Sequence, residues 1–164
     1  MSEIDHLISE LSHAHDGDPW HGPSRAAVLA HIGWEEAARR PPGGAHSIWE
    51  LVLHMTAWTR EVARRLRDGV ARPPEIGDWP TVPEPSEAAW IAARAALDQA
   101  HTELIASLRT FPEQRLDENV GAERDAPLGA GVSYRTMLHG LAQHDAYHSG
   151  QVAILARIVH AQEH

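Results

Sequence analysis

Apolar residues recur at helical spacing along most of this chain, whereas the alternating pattern typical of strands is absent. Alanine, leucine, glutamate and arginine dominate, and these residue types favour helices. The pattern predicts four long helices, at Ser2–His15, Ser47–Asp68, Ser86–Thr110 and Ser133–Gln162. We therefore expect an all-α protein with no strands.

Clusters of proline and glycine separate these segments. A capping box from Ser47 to Glu50 begins the second helix, and Gly69 is placed to end it. A shorter helical stretch, Ser24–Arg40, is expected to break near Gly33. The 17 residues from 69 to 85 hold five prolines, which predicts an extended connection. Together these features predict one domain over residues 1–164, an antiparallel four-helix bundle with one or two long connections.

Charge and composition exclude several classes of protein. The 14 Lys+Arg and 23 Asp+Glu give a net charge of −9, which argues against a nucleic-acid partner. The chain has no cysteine, so disulfides, thiolate metal ligands and a cysteine nucleophile are excluded. No secretory signal and no apolar stretch of about 20 residues is visible, so we expect no membrane partner and a cytoplasmic location.

The chain holds 13 histidines, and two of them lie in an informative position. His144 and His148 are one helical turn apart and fall inside the apolar stripe of the last helix. Two buried imidazoles need partners, and a cation would satisfy both. The alternative is a pair of core histidines bonded to side chains or water, and the spacing alone leaves both interpretations open.

A metal site needs a third ligand, and the second helix offers His54 on the flank of its apolar stripe. Taken alone, His54 is better explained as a histidine at the boundary of the core. Three imidazoles with an open coordination position are typical of catalytic zinc sites, and nickel, cobalt or iron accepts the same ligands.

Several segments resemble the DinB/YfiT-like superfamily, in the right order and over nearly the whole chain. They are His46–His54 followed by Ala57-Trp58, His144–Gln151 with the form HxxxHxGQ, Asp18–Ser24, and the connection from Trp79 to Trp90. The resemblance implies a four-helix bundle, usually dimeric, whose metal is held by one histidine of the second helix and two of the last. In this chain those positions are His54, His144 and His148.

The resemblance also implies an activity. Members with known chemistry use a low-molecular-weight thiol, so we expect a metal-dependent enzyme of the thiol S-transferase or hydrolase type, with zinc or nickel and an unidentified small-molecule substrate. Asp145 and Glu50 are the candidate catalytic bases, although Asp145 is better explained as a carboxylate that holds a ligand in place or caps the helix. The alternative is a non-enzymatic metal-binding or stress-response interaction protein, whose site a fourth ligand such as Glu50 would close.

Three further expectations concern residues around this site. His21 and His46 lie in connections that either border the site or are ordinary polar loops. Six tryptophans are more than one small bundle comfortably hides, which together with the resemblance predicts a homodimer. The arginines of the second helix are expected on its solvated face, at Arg60, Arg64, Arg65 and Arg67.

Overall fold

The computed structural model describes residues 1–161, and most of this range is helical. The helices are α1 (Glu3–His15), α2 (Arg25–Leu29), α3 (Trp34–Ala38), α4 (Ile48–Asp68), α5 (Glu87–Thr110) and α6 (Tyr134–Ala161). A 3-10 turn (Glu113–Arg115) leads into two strands, β1 (Asn119–Asp125) and β2 (Ala130–Ser133). No helix in this range is long and apolar enough to cross a membrane. The predicted end of the last helix at Gln162 lies outside the described residues.

The predicted helix boundaries are confirmed where capping residues or glycines set them. Ser47 and Glu50 form the capping box of α4, and Gly69 ends that helix in the left-handed conformation, with φ of 72°. Gly33 separates α2 from α3 and caps α3, so the stretch 24–40 is broken where glycine predicted a break. The connection from 69 to 85 contains neither helix nor strand.

The two strands correct the expectation that the chain has none. β1 pairs with β2 in antiparallel register, with Val120 opposite Val132, and an irregularity follows before Asp125. Only Val120 of β1 is buried, so the strand has no alternating pattern for sequence reasoning to detect. Gly131 has φ of 70°, and a Cβ there would lie 2.5 Å from the Arg124 backbone. The hairpin therefore needs glycine at this position, because a side chain would clash with the opposite strand.

The buried apolar residues form two separate cores. The first core joins α1, the carboxyl halves of α4 and α5, the hairpin and the amino half of α6, with Leu7, Leu66, Leu108, Val120 and Leu138 among its members. The second core joins α2, α3, the amino halves of α4 and α5, and the carboxyl half of α6. Its members include Leu29, Val52, Trp90, Leu97 and Val152.

The order in which each helix meets the two cores gives its direction. Both α4 and α5 run from the second core to the first, whereas α6 runs from the first core to the second. The predicted antiparallel arrangement therefore does not hold for α4 and α5, which run in the same direction. The extended connection makes this possible, because Ala71 packs against the first core and Val82 against the second.

A layer of buried polar side chains separates the two cores. It contains one or two residues from each long helix: His15 of α1, His54 of α4, His101 of α5, and Asp145 and His148 of α6. The short helix α2 adds Arg25. These groups lose their hydration in the fold and must satisfy one another or bind something else.

Arg65 does not lie on the solvated face of α4, where it was expected. Its side chain is 1% exposed and donates to Glu61 at 2.6 Å. It also donates to the carbonyl oxygens of Leu128 in the hairpin and Arg72 in the connection, at 2.8 and 3.0 Å. The buried guanidinium thus ties three segments of the chain together, because only a fork of five donors reaches so many acceptors.

We predict that the polar layer makes the fold sensitive to acid. The His15 and His101 rings stack at 4.0 Å, and burial together with the Arg25 charge lowers the pKa of each to about 4. The unfolded chain binds these protons near pH 6.5, so their contribution to stability is complete above pH 6.5 and is lost as the pH falls toward 4. Urea unfolding with a metal chelator at pH 7, 5.5 and 4.5 measures this loss. His101→Phe keeps a ring without a titrating group, and its slope against pH should be shallower; an unchanged slope would contradict the prediction.

Candidate metal centre

Three histidine rings meet where α4 passes α6. His54, His144 and His148, the histidine cluster, present ring nitrogens that lie within 4.8 Å of one another, and the Nε2 atoms of His54 and His144 are 2.9 Å apart. His54 is 5% exposed and His148 7%, while His144 is partly exposed. The three residues singled out in the sequence are therefore brought together, and His54 is buried rather than at the flank of the core.

The second nitrogen of two of these rings has a carbonyl acceptor. His54 Nδ1 lies 2.6 Å from the backbone oxygen of Asp78, and His148 Nδ1 lies 2.6 Å from Gln151 Oε1. A carbonyl oxygen only accepts, so we assign the proton to Nδ1 of each ring. This assignment leaves the lone pair of each Nε2 free for a cation.

The third ring, His144, meets a carboxylate instead. Its Nδ1 lies 3.5 Å from Asp145 Oδ1, too far for a hydrogen bond, and neither atom has a hydrogen-bond partner among the described residues. Asp145 Oδ2 accepts from Arg25 Nη1 at 2.7 Å. Burial raises the pKa of Asp145, but the Arg25 guanidinium and the His144 ring outweigh it and hold that pKa below its usual range. Asp145 is therefore an ionised group beside the cluster.

The environments of His54 and His148 favour neutral rings. Burial lowers the pKa of His54, and so do the neighbouring His144 and His148 rings. Burial likewise lowers the pKa of His148. Neutral imidazole is the form that binds metal ions, so these ligands need little deprotonation at neutral pH.

The donor set fits a divalent cation. Three imidazoles bound to zinc at about 2.0–2.1 Å would hold their nitrogens about 3.3 Å apart, close to the 2.9 Å between His54 and His144. Among the described residues, the group within ligating distance contains these three histidines and no carboxylate. Three protein ligands leave at least one coordination position for water or substrate.

The structure does not bring the other candidate base, Glu50, into this group. Its carboxylate accepts from Ser47 N at 2.8 Å and from Arg40 Nε at 3.0 Å, as the end of the α4 capping box. Burial raises the pKa of Glu50, but the hydrogen bonds from Arg40 and Ser47 outweigh burial and hold that pKa below its usual value. Glu50 is thus committed to the start of α4 and does not act as a fourth ligand in this geometry.

Two residues that sequence reasoning missed come from the connection between α4 and α5. The Trp79 ring stacks on His54 at 3.9 Å and on His46 at 3.6 Å, so His46 borders the site, whereas His21 is exposed. Asp78 accepts from both His54 and Trp58, whose Nε1 lies 2.6 Å from Asp78 Oδ1. The one signal in the sequence for these contacts was a tryptophan, Trp79, within a proline-rich segment. Gln151 was visible as part of the HxxxHxGQ pattern.

Clefts adjoin the cluster on two sides. One, of about 450 Å³, is lined by His148, Trp79, His46, Leu51, Tyr147 and Ile154. The other, of about 480 Å³, is lined by His54, His144, Trp58, Val62, Val132 and Leu141. Both walls are mainly apolar, which is typical of sites for small molecules.

Comparison with known proteins gives one match. A family model described as the DinB superfamily matches residues 26–152, a range that contains all three histidines of the cluster. Searches of curated proteins and of solved structures found no match.

We predict that Gln151 supports metal binding through His148. Gln151→Ala removes the acceptor of the His148 Nδ1 proton and should weaken zinc affinity by about 10-fold, because partners of ligating histidines typically contribute 10–100-fold. Chelator competition measures the affinity. Gln143→Ala, an exposed glutamine on the same helix, is the matched control and should bind zinc as the parent does. Equal affinities in the two variants would remove the role given to Gln151.

Proposed function

Because the chain belongs to the DinB superfamily, we propose that it binds a divalent metal ion through His54, His144 and His148 and acts on small molecules as a metal-dependent enzyme. The observation that carries this proposal is the convergence of three rings, two of them buried and His144 partly exposed, whose Nδ1 atoms each lie beside an oxygen atom of another residue. We propose zinc or nickel as the ion, since both accept three imidazoles.

The reaction type that we propose is thiol S-transfer or hydrolysis. A divalent cation held by neutral ligands lowers the pKa of a water or thiol in its open position, which supplies a nucleophile at neutral pH. The chain's own residues supply the rest. Asp78 and Gln151 orient two of the rings, Trp79 covers His54, and the apolar clefts hold the body of a substrate with little water.

Asp145 is the predicted catalytic residue, and its contacts bear on how it would act. One carboxylate oxygen is bound to Arg25, and the other faces His144 inside the protein. These contacts therefore fit a carboxylate that orients the His144 ring better than one that exchanges a proton directly with a substrate in either cleft.

A non-enzymatic metal-binding or interaction protein is the alternative function. A site closed by a fourth protein ligand would support it, whereas the group within reach holds three histidines and adjoins two clefts. These features support the enzymatic function.

For the architecture, we propose a single DinB-type domain whose four long helices form a bundle, with α1 and α6 antiparallel to α4 and α5.

The test of this function is His148→Ala, in protein purified without metal-affinity resin. Zinc and nickel affinity should fall by orders of magnitude, because one of three ligands is lost. Unfolding free energy should fall by only about 1–3 kcal/mol, and the better helix propensity of alanine offsets a few tenths of that. Elemental analysis, chelator competition and thermal unfolding on the same samples measure both effects.

His139→Ala is the matched control, since it removes a partly exposed histidine from the same helix. A screen of thiol-dependent transfer and of hydrolysis, run on the metal-loaded parent and on both variants, then tests the activity. Metal content and affinity that are unchanged in His148→Ala would refute the three-histidine site. Metal binding without activity in the screen would favour the non-enzymatic alternative.

We also propose a homodimer, supported by an apolar stripe on the outer face of α6. Tyr147, Ile154 and Ile158, the exposed stripe, are 65%, 60% and 40% accessible, and their spacing places them on one side of the helix. Ile154→Glu should convert a dimer to a monomer in light scattering at micromolar concentration. Ile91→Glu places the same charge at an exposed isoleucine of α5 and should leave the mass unchanged. A parent protein of monomer mass would remove the proposal.

A further inference from the structure

A buried arginine is linked to the histidine cluster through the carboxylate of Asp145. Arg25, on the short helix α2, is 3% exposed. Its Nη1 donates to Asp145 Oδ2 at 2.7 Å, and its Nη2 lies 2.6 Å from His15 Nδ1. One guanidinium thus bridges α1 and α6 within the polar layer.

The protonation of His15 follows from this contact. An arginine always donates, so His15 Nδ1 must be the acceptor, and the ring proton is on Nε2. That nitrogen lies 3.1 Å from Asp98 Oδ1, and the ring stacks on His101. The His15 side of the Arg25 fork is therefore fixed by contacts from both α1 and α5.

The other side of the fork fixes a carboxylate. With Oδ2 bound to Arg25, the plane of the Asp145 carboxylate is set, and Oδ1 is directed toward His144 Nδ1. His54 and His148 have carbonyl acceptors of their own, but Asp145 is the acceptor that faces His144. The two atoms are 3.5 Å apart and not hydrogen-bonded, but the charge of a carboxylate at this place favours the proton on Nδ1 of His144 and leaves the lone pair of Nε2 free for a cation.

We propose that Arg25 is a positioning residue of the metal centre, which fixes the His144 ring through Asp145 although its hydrogen bonds go to Asp145 and His15 rather than to the three histidines. The inference rests on the proposed function. Arg25 lies just outside the residues that the family model matches, so the match does not assign this role.

Zinc titration with a competing chelator tests the proposal on the full chain. Arg25→Met should weaken zinc affinity by about 10-fold or more, in the range typical of groups that orient a ligand. Arg25→Lys should also lose affinity, because a single ammonium lacks the two-pronged geometry that meets Asp145 and His15 together.

Arg65→Met is the matched control. It also deletes a buried arginine with a carboxylate partner, but the hydrogen bonds of Arg65 go to Glu61 and to backbone carbonyls of the hairpin and connection. It should lower the unfolding temperature and keep the parent's zinc affinity. Loss of affinity to the same degree in Arg65→Met would mean that general destabilisation explains the Arg25 result.

Arg25→Met leaves the Asp145 charge buried without a partner and can fail to fold for that reason. The double variant Arg25→Met with Asp145→Asn removes both charges and should recover thermal stability while its zinc affinity stays low. Recovery of the parent's affinity together with stability would overturn the proposal, because Arg25 would then act only on the fold.

The imidazole N–H signals of the zinc-loaded protein give a readout that a purely structural role would not move. The Nδ1 proton of His144 should be slow to exchange in the parent and fast in the folded Arg25 variants. Equal zinc affinity and an equal N–H signal in the parent and the variants would overturn the role of Arg25 but not the proposed function. A parent that binds no zinc would overturn the proposed function and this inference together.

Discussion

The fold depends on satisfying a polar layer enclosed between two apolar cores. Each long helix reaches this layer, so each must carry a polar residue there that finds a partner on another helix. Arg25 and Asp145 form an ion pair, His15 accepts from Arg25 and packs on His101, and the histidine cluster occupies the remaining part. Because unpartnered buried polar groups cost free energy, this layer fixes the relative positions of the helices along their axes.

Protein groups alone leave the candidate metal centre incomplete, and among the described residues Arg25 Nε of the same layer also lacks a hydrogen-bond partner. His15 and His101 are neutral rings packed against each other and against a guanidinium, whereas the cluster aims several lone pairs at one point. The two groups of histidines are joined through Asp145 and Arg25. The same physical requirement, satisfaction of buried polar atoms, therefore governs both the structural and the candidate functional histidines.

Features that depend on a local sequence pattern could be predicted from the sequence. The long helices follow from apolar periodicity, and the His144–His148 pair could be identified because it lies inside an apolar stripe. The hairpin could not be predicted, since β1 buries only Val120 and depends on glycine packing across the pair.

The common direction of α4 and α5 could not be predicted either, because the path of the connection is set by packing along its whole length. Asp78, Trp79 and Arg25 contribute through contacts that span from 10 to 120 residues of sequence, which no local pattern encodes. Arg65 looked solvated because the hairpin and the connection that cover it are remote in sequence.

The separation of 90 residues between His54 and His144 has a kinetic consequence. The cluster exists only after α6 has docked on α4, because it takes one ring from α4 and two from α6. Contacts between such distant segments form late, because the entropy of closing a long loop must be overcome first. Interactions absent from the folding transition state change the unfolding rate rather than the folding rate. A cation bound by the three rings would therefore lengthen the lifetime of the native state without hastening its formation.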